Sequence, residues 1–132
     1  MKQSPVVHFE MPAKDNARVA KFYSEAFGWQ MTQLGKEMGN YILAGTSPVD
    51  ERQMHINKGA INGGFFEYKN EDGYNAPHIV VEVKDLDESI EAVTQAGGKI
   101  TSAKLPIPGI GTYVSIKDSE GNNVGMLQPA TK

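Results

Sequence analysis

The side chains able to do chemistry in this chain are few, and the most suggestive of them repeat. Residues 8 to 15 read HFEMPAKD and residues 78 to 85 read HIVVEVKD, so His8 recurs as His78 and Lys14-Asp15 as Lys84-Asp85, each 70 positions on. The same offset carries Gly28 onto Gly98 and Ala26 onto Ala96. Two neutral imidazoles presented by two copies of one segment are half of a site for Zn²⁺, Ni²⁺, Fe²⁺ or Mn²⁺. Such an ion needs in addition an anionic oxygen ligand and an open position to act as a Lewis acid. Without a metal, the same histidines together with Glu10 and Glu82 are polar anchors for a small organic molecule, and Glu10 is a candidate general base. Trp29, Tyr41, Phe65 and Tyr113 are aromatics of the kind that line small-molecule clefts, although large aromatics are more often buried for their area alone. His55 falls in a long polar stretch and Glu120 in a turn, so both are expected to be solvated. GxSxG, HExxH, GxxxxGKS and GxGxxG are absent, which removes the usual warrants for hydrolase, zincin, P-loop and dinucleotide chemistry.

The elements that must position these residues can be read from periodicity. Between Pro5 and Pro12 the apolar residues Val7, Phe9 and Met11 alternate with His8 and Glu10, the signature of a half-buried strand. In the second copy Ile79, Val81 and Val83 take the apolar face and His78, Val80 and Glu82 the other. A helix follows each Lys-Asp. Asp15 or Asn16 caps a segment in which Val19, Phe22, Tyr23 and Ala26 recur at helical spacing and Gly28 ends it; in the second copy Asp87 caps, Ile90, Val93 and Ala96 follow, and Gly97-Gly98 terminates. Three strand-like runs come after each helix: Gln30 to Gly35, Asn40 to Ala44 and Ile61 to Tyr68, then Ile100 to Lys104, Thr112 to Ile116 and Asn123 to Gln128. Each copy is thus a βαβββ module, about 5–68 and 77–129, in an α+β chain forming one domain over 1–132. Gly45 to Gly59 and Lys69 to Pro77 read as connections, Asp118 to Gly121 as a tight turn, and the Pro-rich Lys104 to Gly111 as either a strap over a cavity or a plain link. A βαβββ unit leaves one sheet face bare, so pairing of modules or of chains, a homodimer, is the expected completion.

Bulk composition narrows the function classes. The chain has 132 residues, 39% of them apolar, and a formal charge of −3 with its basic residues scattered, which argues against a nucleic-acid or anionic-lipid partner. No apolar run reaches the length of a membrane span and no leader pattern opens the chain, so a cytoplasmic protein is expected. Zero cysteines exclude disulfides, thiolate metal sites and a Cys nucleophile.

Three stretches, VVHFEMPAKDNARVAKFYSEAFGW, LPIPGIGTY and DSEGNNVGM, resemble the vicinal oxygen chelate superfamily of glyoxalase I, bleomycin-resistance proteins and extradiol dioxygenases. The likeness spans nearly the whole chain and is strongest toward the glyoxalase-like branch, with HFE in the first strand, FYxxxFGW in the first helix and DPEGN before the last strand. Here that last motif reads DSEGN, with Ser119 in place of Pro. The resemblance implies paired βαβββ modules, a U-shaped mixed sheet around a small-molecule cavity with helices outside, and a dimer. It also implies a His from the first strand of each module, matched by His8 and His78, and a carboxylate from the fourth strand. Those carboxylate positions hold Gly64 and Gly125. Glu67 lies three residues beyond Gly64, which alternation sends to the other face unless a bulge intervenes. Glu10 shares the face of His8 but stands a pleat repeat away, about 6.6 Å. Two readings follow: a metal-free cavity binding a small organic ligand through His8, Glu10, His78, Glu82, Trp29 and Tyr113, or a divalent-metal lyase, isomerase or dioxygenase in which His8, His78 and Glu67 hold the ion.

Overall fold

The computed structural model describes residues 3–69 and 75–130; most of the expected linker between the modules lies outside them. The fold class is α+β, and the chain forms two compact units, His8–Pro77 and His78–Lys132, the latter joined by the chain start up to Val7. No helix among the described residues is long and apolar enough to cross a membrane.

The first unit contains β1 (Val6–Ala13, whose first two residues belong with the other unit), α1 (Asn16–Phe27), β2 (Gln30–Gln33), β3 (Ile42–Gly45) and β4 (Asn62–Glu67). Its strands lie in the order β2-β3-β4-β1, antiparallel except for the parallel β4–β1 pair. Asp15 is the N-cap of α1, its Oδ1 accepting from the Arg18 N–H at 3.0 Å, and Gly28 closes the helix at φ 71°, where a side chain would be strained. The alternation read from the sequence sets Phe9, Met11 and Ala13 toward α1. There they join Ile42, Ala44 and Phe65 in the core, with Val19, Tyr23, Trp29 and Met31 packed against it. Phe65 is 1% exposed, and Tyr23 bridges it to Trp29, with ring centroids 5.1 and 4.7 Å away. Phe22 and Phe27 stand on the outside of the helix, 56% and 63% exposed.

The second unit contains β5 (His78–Glu82), α2 (Leu86–Gln95), β6 (Lys99–Ile100), β7 (Leu105–Ile107), β8 (Gly111–Lys117) and β9 (Asn123–Pro129). β9 lies between β5, parallel to it, and β8, antiparallel to it, and β6 and β7 both pair with β8. Val83, Leu86, Val114, Ile116 and Met126 form its core, lined by Val81, Ile90, Val93 and Val124.

Two expectations need correction here. The cap of α2 is Asp85, whose Oδ1 accepts from the Glu88 N–H at 3.0 Å, while Asp87 sits in the first turn and pairs with Lys104. Capping from 85 is what admits Leu86, 3% exposed, to the core, and Asp followed three residues on by Glu has the spacing of a capping box. Of the stretch read as strand from Ile100 to Lys104 only Ile100 is strand, as the end of the two-residue β6, and the Pro-rich link contains β7 instead. Leu105 to Ile107 pairs along β8, an edge place where Pro106 gives up no needed hydrogen bond.

Candidate functional site

Strand alternation decides which chemistry-bearing side chains share a surface. In the first unit β1 and β4 run in register, His8 beside Asn62, Glu10 beside Gly64 and Ala13 beside Glu67. The pairing is unbroken, so no bulge intervenes. His8, Glu10, Asn62 and Gly64 therefore lie on the face away from α1, and Glu67 on the side of Phe65. Glu67 is exposed, and its Oε1 accepts from Asn40 Nδ2 at 2.8 Å; it is not brought to His8. Trp29 is not brought there either, being stacked on Tyr23 and against Phe9, 5.6 Å between centroids, in the core beneath α1.

The residue that does meet His8 and Glu10 is Tyr41. Its hydroxyl lies 3.0 Å from His8 Nε2 and donates to Glu10 Oε2 at 2.8 Å. A phenol has one proton, and an ionised carboxylate only accepts. With that proton on the Glu10 bond, the hydroxyl oxygen accepts from His8, and Nε2 carries the hydrogen. All three side chains are half-buried, where a charge-assisted bond of this kind is stronger than a neutral one.

Tyr41 can lie there because of Gly64. A Cβ at Gly64 would fall inside the Tyr41 ring, far closer than the 3.0 Å that real Cβ atoms keep. The preceding glycine does the same on the opposite face, where a Cβ at Gly63 would fall inside the Phe9 ring. Neither glycine has a positive φ, so both are required for space and not for backbone freedom. The Gly-Gly pair therefore marks a strand with an aromatic ring laid on each side.

The second unit repeats the device. A Cβ at Gly125 would collide with the hydroxyl oxygen of Tyr113 and stand 2.6 Å from its nearest ring carbon. Tyr113 and Ser115 share a face of β8, Ser115 is opposite Gly125, and Val80 is beside Gly125 on the other flank. His78 and Glu82 share that face of β5 by alternation, two pleat repeats apart, about 13 Å. Val80 thus stands where the first unit has Glu10. Tyr41 was visible in the sequence only as an aromatic; what marks it, a position two residues before the cross-strand partner of a glycine, requires the register.

These residues do not fit the metal set that the resemblance implies. The two carboxylate positions hold glycines covered by phenols, and His8 Nε2 is engaged by the Tyr41 hydroxyl where a metal ligand must offer a free lone pair. Glu67 is on the other face of its strand. Among the described residues, no three His, Cys, Asp or Glu side chains converge.

Elsewhere, an open groove of about 540 Å³ runs past Lys14, Arg18, Phe22 and Tyr68, with Lys14 Nζ 4.7 Å from the Tyr68 ring centre. Asp15 also lines it, but His8, Glu10 and Tyr41 do not. His55 is paired with Val49 in an isolated bridge of the 45–61 loop, its Nδ1 buried. Glu120 is exposed in the turn where its N–H and that of Asn122 bond Asp118 Oδ1. Those bonds, the Asn122 side chain foremost, hold the Asp118 carboxyl below the usual carboxylate range.

Comparison with known proteins places these observations. Residues 6–126 match the model of the Glyoxalase/Bleomycin resistance protein/Dioxygenase superfamily. The chain is 29% identical to a Vibrio parahaemolyticus protein named "Probable lactoylglutathione lyase", over 97% of this chain and 93% of that one. It is 33% identical to a glyoxylase-like domain-containing protein of Didymella fabae, over 86% and 84%. Among solved structures it resembles methylmalonyl-CoA epimerase of Streptomyces coelicolor in complex with 2-nitronate-propionyl-CoA, with TM-score 0.69 and 14% identity over 98% of this chain and 100% of that one. A hypothetical protein of Bacillus halodurans matches with TM-score 0.68 and 13% identity over 99% and 98%. At such identities the structural likeness bears on the fold alone.

Proposed function

Because the chain belongs to the Glyoxalase/Bleomycin resistance protein/Dioxygenase superfamily, we propose that it binds a small organic molecule on the sheet face away from its helices, without a four-ligand metal site. The observation that carries this reading is the hydrogen-bonded row His8–Tyr41–Glu10. Each module offers anchors of its own, those three side chains in the first and His78, Glu82 and Tyr113 in the second. Glu10 accepts a ligand N–H or O–H, and the imidazole and phenol orient it. A homodimer in the cytoplasm belongs to the same proposal, in keeping with the absence of cysteine.

The test is a thermal-shift screen of small organic acids, aldehydes and aromatic ligands against the tag-free protein, His8→Ala and Glu10→Gln. A ligand at a hundred times its Kd adds about 2.7 kcal/mol to stability, a shift of several degrees in Tm. Stabilisation of the wild type that both variants lose supports the site. Equal shifts in all three proteins would place binding elsewhere.

A second reading, a divalent-metal lyase, isomerase or dioxygenase with the strand histidines as ligands and Glu10 moving the proton, is favoured by the identity to the Vibrio relative, although Glu67 does not supply its carboxylate. Elemental analysis separates the two, since that reading requires near-stoichiometric metal that His8→Ala/His78→Ala loses.

A further inference from the structure

We infer that Tyr41 is the specificity-determining residue of the first module, its phenol standing in the space of a metal-binding carboxylate arm and committing His8 to hydrogen bonding instead of metal ligation. The inference rests on reading this face as the ligand surface, but it concerns what the face rejects.

The two modules make the same exchange. In each, a strand-borne histidine stands level with an asparagine of the neighbouring strand, His8 with Asn62 by direct pairing and His78 with Asn123 from the adjoining pair Ile79–Val124. Two residues beyond each asparagine comes a buried glycine, Gly64 or Gly125. Opposite these glycines are Leu43 and Ser115, and two residues before each of those is the tyrosine whose ring covers the glycine, Tyr41 or Tyr113. The correspondence holds residue by residue although the loops between the strands differ in length, so the ring over the glycine is part of the module and not an accident of one loop. Neither glycine has a positive φ, and the atoms nearest an added Cβ at each are those of the tyrosine side chain.

The consequence for His8 follows from proton counting. Its Nε2 is 3.0 Å from a phenol that also bonds Glu10, so with Glu10 ionised the Nε2–H tautomer is the one that satisfies all three groups. A divalent ion at that nitrogen must displace the hydroxyl and break both bonds, with no carboxylate at position 64 to replace them. Removing the phenol and supplying that carboxylate reverses the choice. His8, Glu10 and a glutamate at 64, directly beside Glu10 in the β1–β4 register, are then three ligands on two adjacent strands, an imidazole-carboxylate set suited to Zn²⁺ or Ni²⁺.

The experiment is calorimetric titration of Zn²⁺ and Ni²⁺ into tag-free wild type, His8→Ala, Tyr41→Phe, Tyr41→Ala/Gly64→Glu and the last with His8→Ala, each checked for folding by Trp29 fluorescence. Expected are no His8-dependent uptake by the wild type, affinity higher by about tenfold or more in Tyr41→Phe, and one equivalent bound by Tyr41→Ala/Gly64→Glu that His8→Ala abolishes. Tyr41→Phe keeps the ring and its packing, so it decides the matter if the double variant does not fold. The inference is overturned if the wild type binds one equivalent that His8→Ala removes, or if the folded Tyr41 variants bind no tighter than wild type. A wild type that takes the ion overturns this inference and the metal-free clause of the proposed function, while ligand binding on that face, read separately by the thermal-shift screen, is unaffected. A chain that takes neither ion nor small molecule sinks that reading and leaves this inference intact.

Discussion

Gly64→Ala is a small substitution with a specific expected cost, because its added carbon lands in the Tyr41 ring. The ring end can swing away, but only by giving up its bonds to His8 and Glu10. A bond to a charged carboxylate contributes about 1.5–3 kcal/mol and one to a neutral partner about 0.5–1.5. Since all three side chains are half-buried, the lower ends apply, about 2 kcal/mol together. Against this, alanine restricts the unfolded chain by about 0.4–1 kcal/mol relative to glycine, which leaves a net loss of about 1–1.5. In a Tyr41→Ala background the collision is gone and Gly64→Ala is expected to stabilise slightly, so the coupling in a double-mutant cycle is about 2 kcal/mol. The assay is urea unfolding followed by the fluorescence of Trp29, the one tryptophan of the chain, which is packed in the core of the same unit. At an m-value of about 2 kcal/mol per molar the coupling appears as a difference of about 1 M between the two midpoint shifts. Coupling below about 0.5 kcal/mol, the usual limit of additivity, would refute the claim that the glycine exists to admit the ring.

Three further outcomes are expected. Tyr41→Phe keeps the ring but removes the hydroxyl between His8 and Glu10, and should cost about 1–3 kcal/mol in the same unfolding assay. Asp85→Ala should cost about 1 kcal/mol by removing the cap of α2, whereas Asp87→Ala, which loses only an exposed pairing with Lys104, should cost less than about 0.5; the reverse order would restore Asp87 as the cap. The Asp118 carboxyl is held below its usual range by Asn122 and neighbouring backbone N–H groups, so its bonds stabilise the turn above the unfolded-state pKa and are lost as pH falls through the lower folded value. Wild type and Asp118→Asn should differ in stability at neutral pH and converge in strong acid, and a difference independent of pH would show that ionisation plays no part.

Much of the scaffold was legible in the chain because it depends on local pattern. The period-two alternation at Val7 to Met11 and Ile79 to Val83 assigns His8 and His78 to the face opposite the apolar residues before any partner strand is known, and the 70-residue echo exposes the module. The Asp15 cap and the Gly28 stop depend on backbone groups a few residues away. Where local signals competed, the reading failed: Asp85 and Asp87 are both good caps, and burial of Leu86 chooses between them. Pro106 and Pro108 obscured β7, whose pairing along the edge of β8 does not need the proline nitrogen.

The candidate site was only half visible, for a physical reason. Side-chain type and strand phase are properties of one segment, so the histidines and Glu10 could be identified from the sequence alone, while the family resemblance marked Gly64 and Gly125 as the carboxylate positions. What fills the space over a glycine is a property of two strands in register, and a slip of one residue would turn Tyr41 or Tyr113 to the other face. Only the tertiary structure set Tyr41 over Gly64 between His8 and Glu10, left Glu67 on the far face by an unbroken β4, and sent Trp29 into the core, because cross-strand pairing and close packing decide contacts that no single segment encodes.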